Sequence, residues 1–119
     1  NSAEIDFGDT SEIHLGAGTK LEVPADFPKH ILPIMEGARF QHIVKNDYNG
    51  SIAITYHIAT KMEQVVTFYK GATNEASHMQ EFSMEETYML MGMKGGYSLA
   101  ITITGTPDYT FVYLSATQQ

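Results

Sequence analysis

The chain has 119 residues, 43% of them hydrophobic, with 14 acidic against 7 basic residues and a formal charge of −7. That size and apolar content fit one domain with one core and exclude wholesale disorder, while the acidity repels phosphate backbones and anionic membranes, so nucleic-acid binding is not expected. The absence of cysteine excludes disulfides, thiolate metal sites and cysteine nucleophiles, and no apolar run reaches the length of a membrane span.

Residues 1–35 differ in texture from the rest. Glycines at 8, 16 and 18 and prolines at 24, 28 and 33 punctuate them. Two short strands are expected at 12–15 and 19–23 around Gly16-Ala17-Gly18. The stretch 24–33 is expected to be extended, because proline fixes φ and disfavours helix in the residue before it. The region is too small to own a core and reads as an extended wrapping segment on a single α+β domain over 36–119.

Residues 39–45 and 51–58 read as a hairpin around Asp47-Tyr48-Asn49-Gly50. A two-residue Asn-Gly loop would set His42 opposite His57. A three-residue loop with Gly50 at positive φ would set His42 opposite Tyr56. The second register gathers Phe40, Val44, Ile54, Tyr56 and Ile58 on one face, and a one-residue slip would scatter them, so it is the one expected. It sends His42 and His57 to opposite faces.

A helix is expected over 61–76. Thr60 with Glu63 matches a capping box, and Met62, Val65, Val66, Tyr69 and Ala72 follow at helical spacing, widened by Phe68. The remainder reads as strand: 80–84, then 87–93 and 97–104 around Gly95-Gly96, a two-residue hairpin turn, then 109–116 after a turn at 105–108. The expected architecture is an antiparallel sheet of five to six strands with one main helix on one face, in the order β-β-α-β-β-β-β after the extended segment.

The turns imply a division of faces. If Lys94 pairs with Tyr97 and Thr104 with Tyr109, then Tyr88, Leu90, Leu99, Ile101, Ile103, Val112 and Leu114 share the helix side. Met89, Met91 and Met93, the small residues Ser98, Ala100, Thr102 and Thr104, and the aromatics Tyr109, Phe111 and Tyr113 share the other, because side chains alternate along a strand. A methionine ridge and an aromatic ridge around small residues form a shallow apolar trough suited to binding. Three covers suit it: Ile5, Phe7, Ile13 or Leu15 of the wrapping segment, a protein or second copy, or a small apolar ligand.

Motifs for chemistry are sparse. No two of the five histidines stand at metal-ligand spacing, and no metal or cofactor is expected. Glu81 and Glu85-Glu86 read as a solvated turn rather than an acid/base pair. Gly92-x-x-Gly95-Gly96 lacks the Lys-Ser/Thr ending of a phosphate loop, and no serine lies in a nucleophile elbow. Asn49-Gly50-Ser51 fits a glycosylation acceptor but is explained as turn chemistry. Tyr109, Phe111 and Tyr113 also suit a carbohydrate platform.

Pro24-Ala25-Asp26-Phe27-Pro28, Pro33-Ile34 and Gly37-Ala38 introduce the hairpin. The helix carries Val65-Val66-Thr67-Phe68-Tyr69, and Gly95-Gly96-Tyr97 opens an alternating strand. Over residues 24–116 this pattern resembles a group of small domains in bacterial extracytoplasmic proteins, often lipoproteins, of unknown function. One departure is the stretch 72–79, which lacks the late glycine usual there. The resemblance implies export and lipid anchoring upstream of residue 1, and it carries over no catalytic residue. The expected function is a non-catalytic extracytoplasmic binding or interaction module acting through Met89, Met91, Met93, Phe111 and Tyr113. Two alternatives stand beside it: a small hydrolase-like enzyme centred on His42 and Tyr56, and a purely structural homodimerising domain.

Overall fold

Among the described residues the chain forms seven strands, most of them carrying alternating apolar residues, and one helix with a 3.6-residue apolar periodicity. In chain order these are β1 (Ser11–Ile13), β2 (Arg39–Asn46), β3 (Ser51–Ile58), α1 (Met62–Ala72), β4 (Ser77–Met84), β5 (Thr87–Lys94), β6 (Tyr97–Gly105) and β7 (Thr110–Gln118). The structure is a computed structural model that describes residues 11–13 and 22–119. All strands join one antiparallel sheet in the spatial order β1-β2-β3-β7-β6-β5-β4. The expected order β-β-α-β-β-β-β is present from β2 onward, with three-residue β1 added beside β2. Of the two short strands expected near the start, the first overlaps β1. Residues 14–21, which hold the rest of it and most of the second, lie outside the described residues.

The β5–β6 hairpin forms as its turn chemistry demands. Gly95 and Gly96 both have positive φ, at 60° and 85°, and Lys94 pairs with Tyr97. Gly95 also lies hard against the Ile31 side chain, so a side chain there would meet both strain and collision. At the next turn Thr104 pairs with Phe111 rather than Tyr109. That slip of two residues preserves parity, and Val112 and Leu114 still face the helix, both fully buried.

The β2–β3 hairpin departs from its expected register. Asn46 pairs with Ser51 across a four-residue loop, so His42 faces Thr55 instead of Tyr56 and Ile43 faces Ile54. The cause is side-chain turn chemistry. The Tyr48 N–H donates to Asn46 Oδ1 (2.9 Å) and the Ser51 N–H to Asn49 Oδ1 (3.1 Å), which closes the loop one residue earlier. A bulge at Gln41 then restores Phe40 opposite Tyr56. Phe40, Ile54, Tyr56 and Ile58 therefore share a face as expected, but Ile43 replaces Val44 among them. His42 and His57 lie on the same face, not on opposite ones.

The helix is shorter than its pattern. Lys61 occupies the N-cap position with no side-chain cap bond, so the Thr60/Glu63 box does not form; the Thr60 carbonyl instead accepts the Thr110 hydroxyl (2.6 Å). At the other end buried Thr73 leaves helical geometry, and its hydroxyl donates to the Tyr69 carbonyl (2.8 Å). The Lys94 ammonium donates to the Ala72 carbonyl (3.0 Å), placing a cation at the negative end of the helix. The chain then enters β4 at Ser77, three residues before the expected strand start.

One such helix cannot cover this sheet. Eleven residues span about 16 Å, whereas seven strands side by side span about 29 Å. Residues 22–38 cover much of the rest on the helix side. They are not extended, as expected for 24–33, but turn twice. Phe27 N–H donates to Pro24 O (3.0 Å), and Ile31 and Leu32 N–H both donate to Pro28 O (3.0 and 2.9 Å). Proline restricts itself and the residue before it and leaves the following residues free to turn. Turning buries Phe27, Ile31 and Leu32 in the core formed by Tyr56, Val65, Tyr69, Leu99 and Ile101.

Three tyrosines seal this layer. Tyr69 hydroxyl donates to Pro33 O (2.8 Å), Tyr56 and Tyr69 hydroxyls are 2.5 Å apart, and the Met35 N–H donates to Tyr56 (3.4 Å). Because Tyr69 spends its proton on Pro33, Tyr56 is the donor between the two hydroxyls. Burial holds both phenols above their ordinary pKa. Further along, the Tyr88 hydroxyl donates to the Glu81 carboxylate, which also lies 3.5 Å from Lys70. Burial, then the bond to Glu81, raises the Tyr88 pKa, and the same bond lowers that of Glu81.

Candidate binding face

The face away from the helix is read from strand register. Across neighbouring strands, Phe82, Met89, Thr102, Tyr113, Thr55 and His42 form one row. On one side of it run Gln80, Met91, Ala100, Ser115, Ala53 and Val44; on the other, Met84, Thr87, Thr104, Phe111, His57 and Arg39. Met89, Met91, Met93, Phe111 and Tyr113 thus lie on one surface, with Ser98, Ala100, Thr102 and Thr104 between the methionines and the aromatics. Met93 is 36% exposed and Tyr113 41%, while Leu90 and Ile101 on the reverse side are 2% and 1% exposed.

Two features of this face escaped sequence reasoning. Phe82 and Met84 of β4 belong to it and are 50% and 62% exposed, which widens the apolar surface by one strand. His57 also joins it. Its ring lies 4.9 Å from Tyr109 and 6.0 Å from Phe111, and its Nδ1 is buried with no hydrogen-bond partner among the described residues. The signal for the first was the β4–β5 register; His57 already stood outward by alternation with inward Tyr56, and its pairing with Phe111 brings it onto this surface. Tyr109 and Phe111 meet edge to face at 88°, so they do not form the flat carbohydrate platform that their alternation suggested.

Of the expected covers, Ile5, Phe7 and Leu15 lie outside the described residues, as does the Ile13 side chain. Of the described residues of the wrapping segment, 11–13 add β1 to the sheet edge beside β2, and 22–35 pack on the opposite, helix-facing side.

The alternative site at His42 and Tyr56 does not assemble. Tyr56 points into the core and is fully buried, whereas His42 is exposed on the other face opposite Thr55. A cleft of about 310 Å³ opens at the β2–β3 turn end, lined by Asp26, Lys45, Asn46, Asp47, Ser51 and Tyr97 among others, and reaches neither residue. There Lys45 pairs with Asp26 at 2.9 Å, and that bond holds the Asp26 carboxyl below its ordinary pKa. Among the described residues no group of three or more His, Asp or Glu is placed to hold a metal ion, and no helix is long and apolar enough to cross a membrane. Comparison with protein-family models, with curated proteins and with solved structures returned no match.

Proposed function

We propose that this domain is a non-catalytic binding module of a bacterial extracytoplasmic protein, lipid-anchored upstream, and that it engages a protein partner through the sheet face away from the helix. The observation that carries the reading is the surface itself. Methionines on β5 and aromatics on β7 flank small residues on β6, on the side of the sheet that residues 22–38 and α1 leave open. Methionine adapts its shape to a partner, and aromatic side chains bring large area at low entropy cost. The envelope placement rests on the sequence pattern of residues 24–116.

Methyl-labelled methionine NMR tests the reading. The protein is titrated with a displayed-peptide library pool and then with the selected peptides. Binding should move the methyl signals of Met89, Met91 and Met93 and leave that of Met35, on the helix side, in place. Met91→Ala with Tyr113→Ala should abolish binding while the spectrum stays folded. Binding that shifts only Met35 and Met62, or a double variant that unfolds, would refute the assignment.

A further inference from the structure

The two edges of the sheet differ. One ends in β1, three residues long. The other ends in β4, eight residues long and exposed throughout, with no strand on its outer side among the described residues. Edge strands of that length are usually guarded by proline, lysine or an inward charge. Ser77–Met84 contains no proline and no lysine, and its one carboxylate, Glu81, is engaged by Tyr88 and Lys70. Its guard is a bulge between Ser77 and Gln80, with His78 at φ 56°, which leaves residues 80–84 regular. Three exposed large hydrophobics, Met79, Phe82 and Met84, lie on this one strand.

We infer that two copies of this chain pair antiparallel through the outer edges of their β4 strands, on a two-fold axis passing through Phe82. The hydrogen-bond parity of the edge follows from the hairpin. Met84 pairs with Thr87 across the two-residue turn Glu85-Glu86, and the closing pair of such a turn is hydrogen-bonded. Met84, Phe82 and Gln80 therefore point their backbone groups toward β5, and Glu81 and Ser83 point theirs outward. A two-fold axis perpendicular to the sheet preserves the faces, so it must pass through a residue position.

An axis at Glu81 would set two carboxylates against each other. An axis at Gln80 would draw the bulge into the ladder. An axis at Phe82 uses residues 80–84 alone. It pairs Glu81 with Ser83 of the second copy in both directions, so every outward N–H and C=O of that stretch gains a partner and the serine hydroxyl reaches the carboxylate. Phe82 packs on Phe82 across the axis, flanked by Gln80 opposite Met84. The acidic turn at Glu85-Glu86 of one copy then lies beside the His78 end of the other, not beside a second acidic turn. Because the two-fold contact is isologous and uses up the β4 edge of both copies, it closes at two copies.

The test uses this chain's lack of cysteine. Light scattering of the full chain from about 10 μM to about 1 mM should show the apparent mass rising from 13.2 kDa toward twice that value. In an antiparallel non-hydrogen-bonded pair the Cα atoms lie about 4.5 Å apart, within disulfide reach, so Phe82→Cys should oxidise to a covalent dimer. Met84→Cys should not, because the two copies of that residue stand about 13 Å apart in this register. Phe82→Lys, at a half-exposed position, should remain folded and monomeric. A mass of one chain at every concentration, a dimer that survives Phe82→Lys, or cross-linking of Met84→Cys at least as fast as Phe82→Cys would each overturn the proposal. None of these outcomes depends on whether the methionine face binds a peptide.

Discussion

Removing the Tyr69 hydroxyl tests how the wrapping segment is held. Tyr69→Phe keeps the ring, which is fully buried, and deletes one oxygen. That oxygen donates to Pro33 O at 2.8 Å and accepts from the Tyr56 hydroxyl at 2.5 Å. Two bonds are lost at about 0.5–1.5 kcal/mol each, and the Tyr56 hydroxyl proton is stranded in the core at about 1–3 kcal/mol, so the expected loss is about 2–6 kcal/mol. Tyr56→Phe should cost less, about 1–2 kcal/mol. Tyr69 keeps its bond to Pro33, and the Met35 N–H gives up only a 3.4 Å contact at a half-buried site. The double variant should cost little more than Tyr69→Phe, because removing Tyr56's hydroxyl in that background removes the stranded group. Urea unfolding of the four proteins measures this, provided the m-values agree. Two additive single losses, or a Tyr56→Phe loss larger than that of Tyr69→Phe, would refute the proton order assigned to the chain of hydroxyls.

Adjacent residues on β5 should behave in opposite ways. Leu90→Ala removes a side chain only 2% exposed and should cost about 2–4 kcal/mol, whereas Met91→Ala on the outer face should cost under about 1 kcal/mol, both read from chemical denaturation. Alkaline pH should expose the buried phenols. Tyr56, Tyr69 and Tyr88 all have pKa values raised in the fold, chiefly by burial, so they favour the folded state fully below about pH 10 and lose that contribution as pH rises further. Tyrosinate absorbance from these three should appear together with the loss of far-ultraviolet dichroism; ionisation of all three while the fold persists would contradict their placement.

The legibility of this fold in its sequence varied with how local the deciding interaction was. Gly95-Gly96 specifies its own turn, so the parity of β5 and β6 was readable, and the two-residue slip at the next turn left it intact. At Asn46 the decision passed to a side-chain turn, and a single residue of loop length exchanged Ile43 for Val44 and His42's neighbour Tyr56 for Thr55. The bulge at Gln41 then reversed part of that error, so four of the five expected inward residues kept their place. The helix end rested on Lys94, 22 residues away from the carbonyl it caps, and the folding of 22–38 onto the core rested on hydroxyls 21 and 36 residues from their partners. No periodicity carries such contacts. The methionine and aromatic set was legible because it depended only on alternation; the addition of Phe82, Met84 and His57 to it needed the register of two further strands, β4 and β3.

The β4 edge and the face away from the helix are one surface, because Phe82 and Met84 share rows with Met89 and Thr87. Pairing two copies through Phe82 would therefore join their Phe82 rows across the axis, from the Tyr113 of one chain through both phenylalanines to the Tyr113 of the other. A peptide long enough to cross the axis would meet two methionine ridges at once, and its second contact would form at a high effective concentration. The two surfaces then separate in a simple way. Phe82→Lys should weaken a long peptide strongly and leave a short one, confined to Met91, Ala100 and Tyr113, nearly unaffected. Met91→Ala with Tyr113→Ala should weaken both lengths alike. A short peptide that loses as much affinity to Phe82→Lys as a long one would place the β4 edge inside the binding site itself rather than between two copies of it.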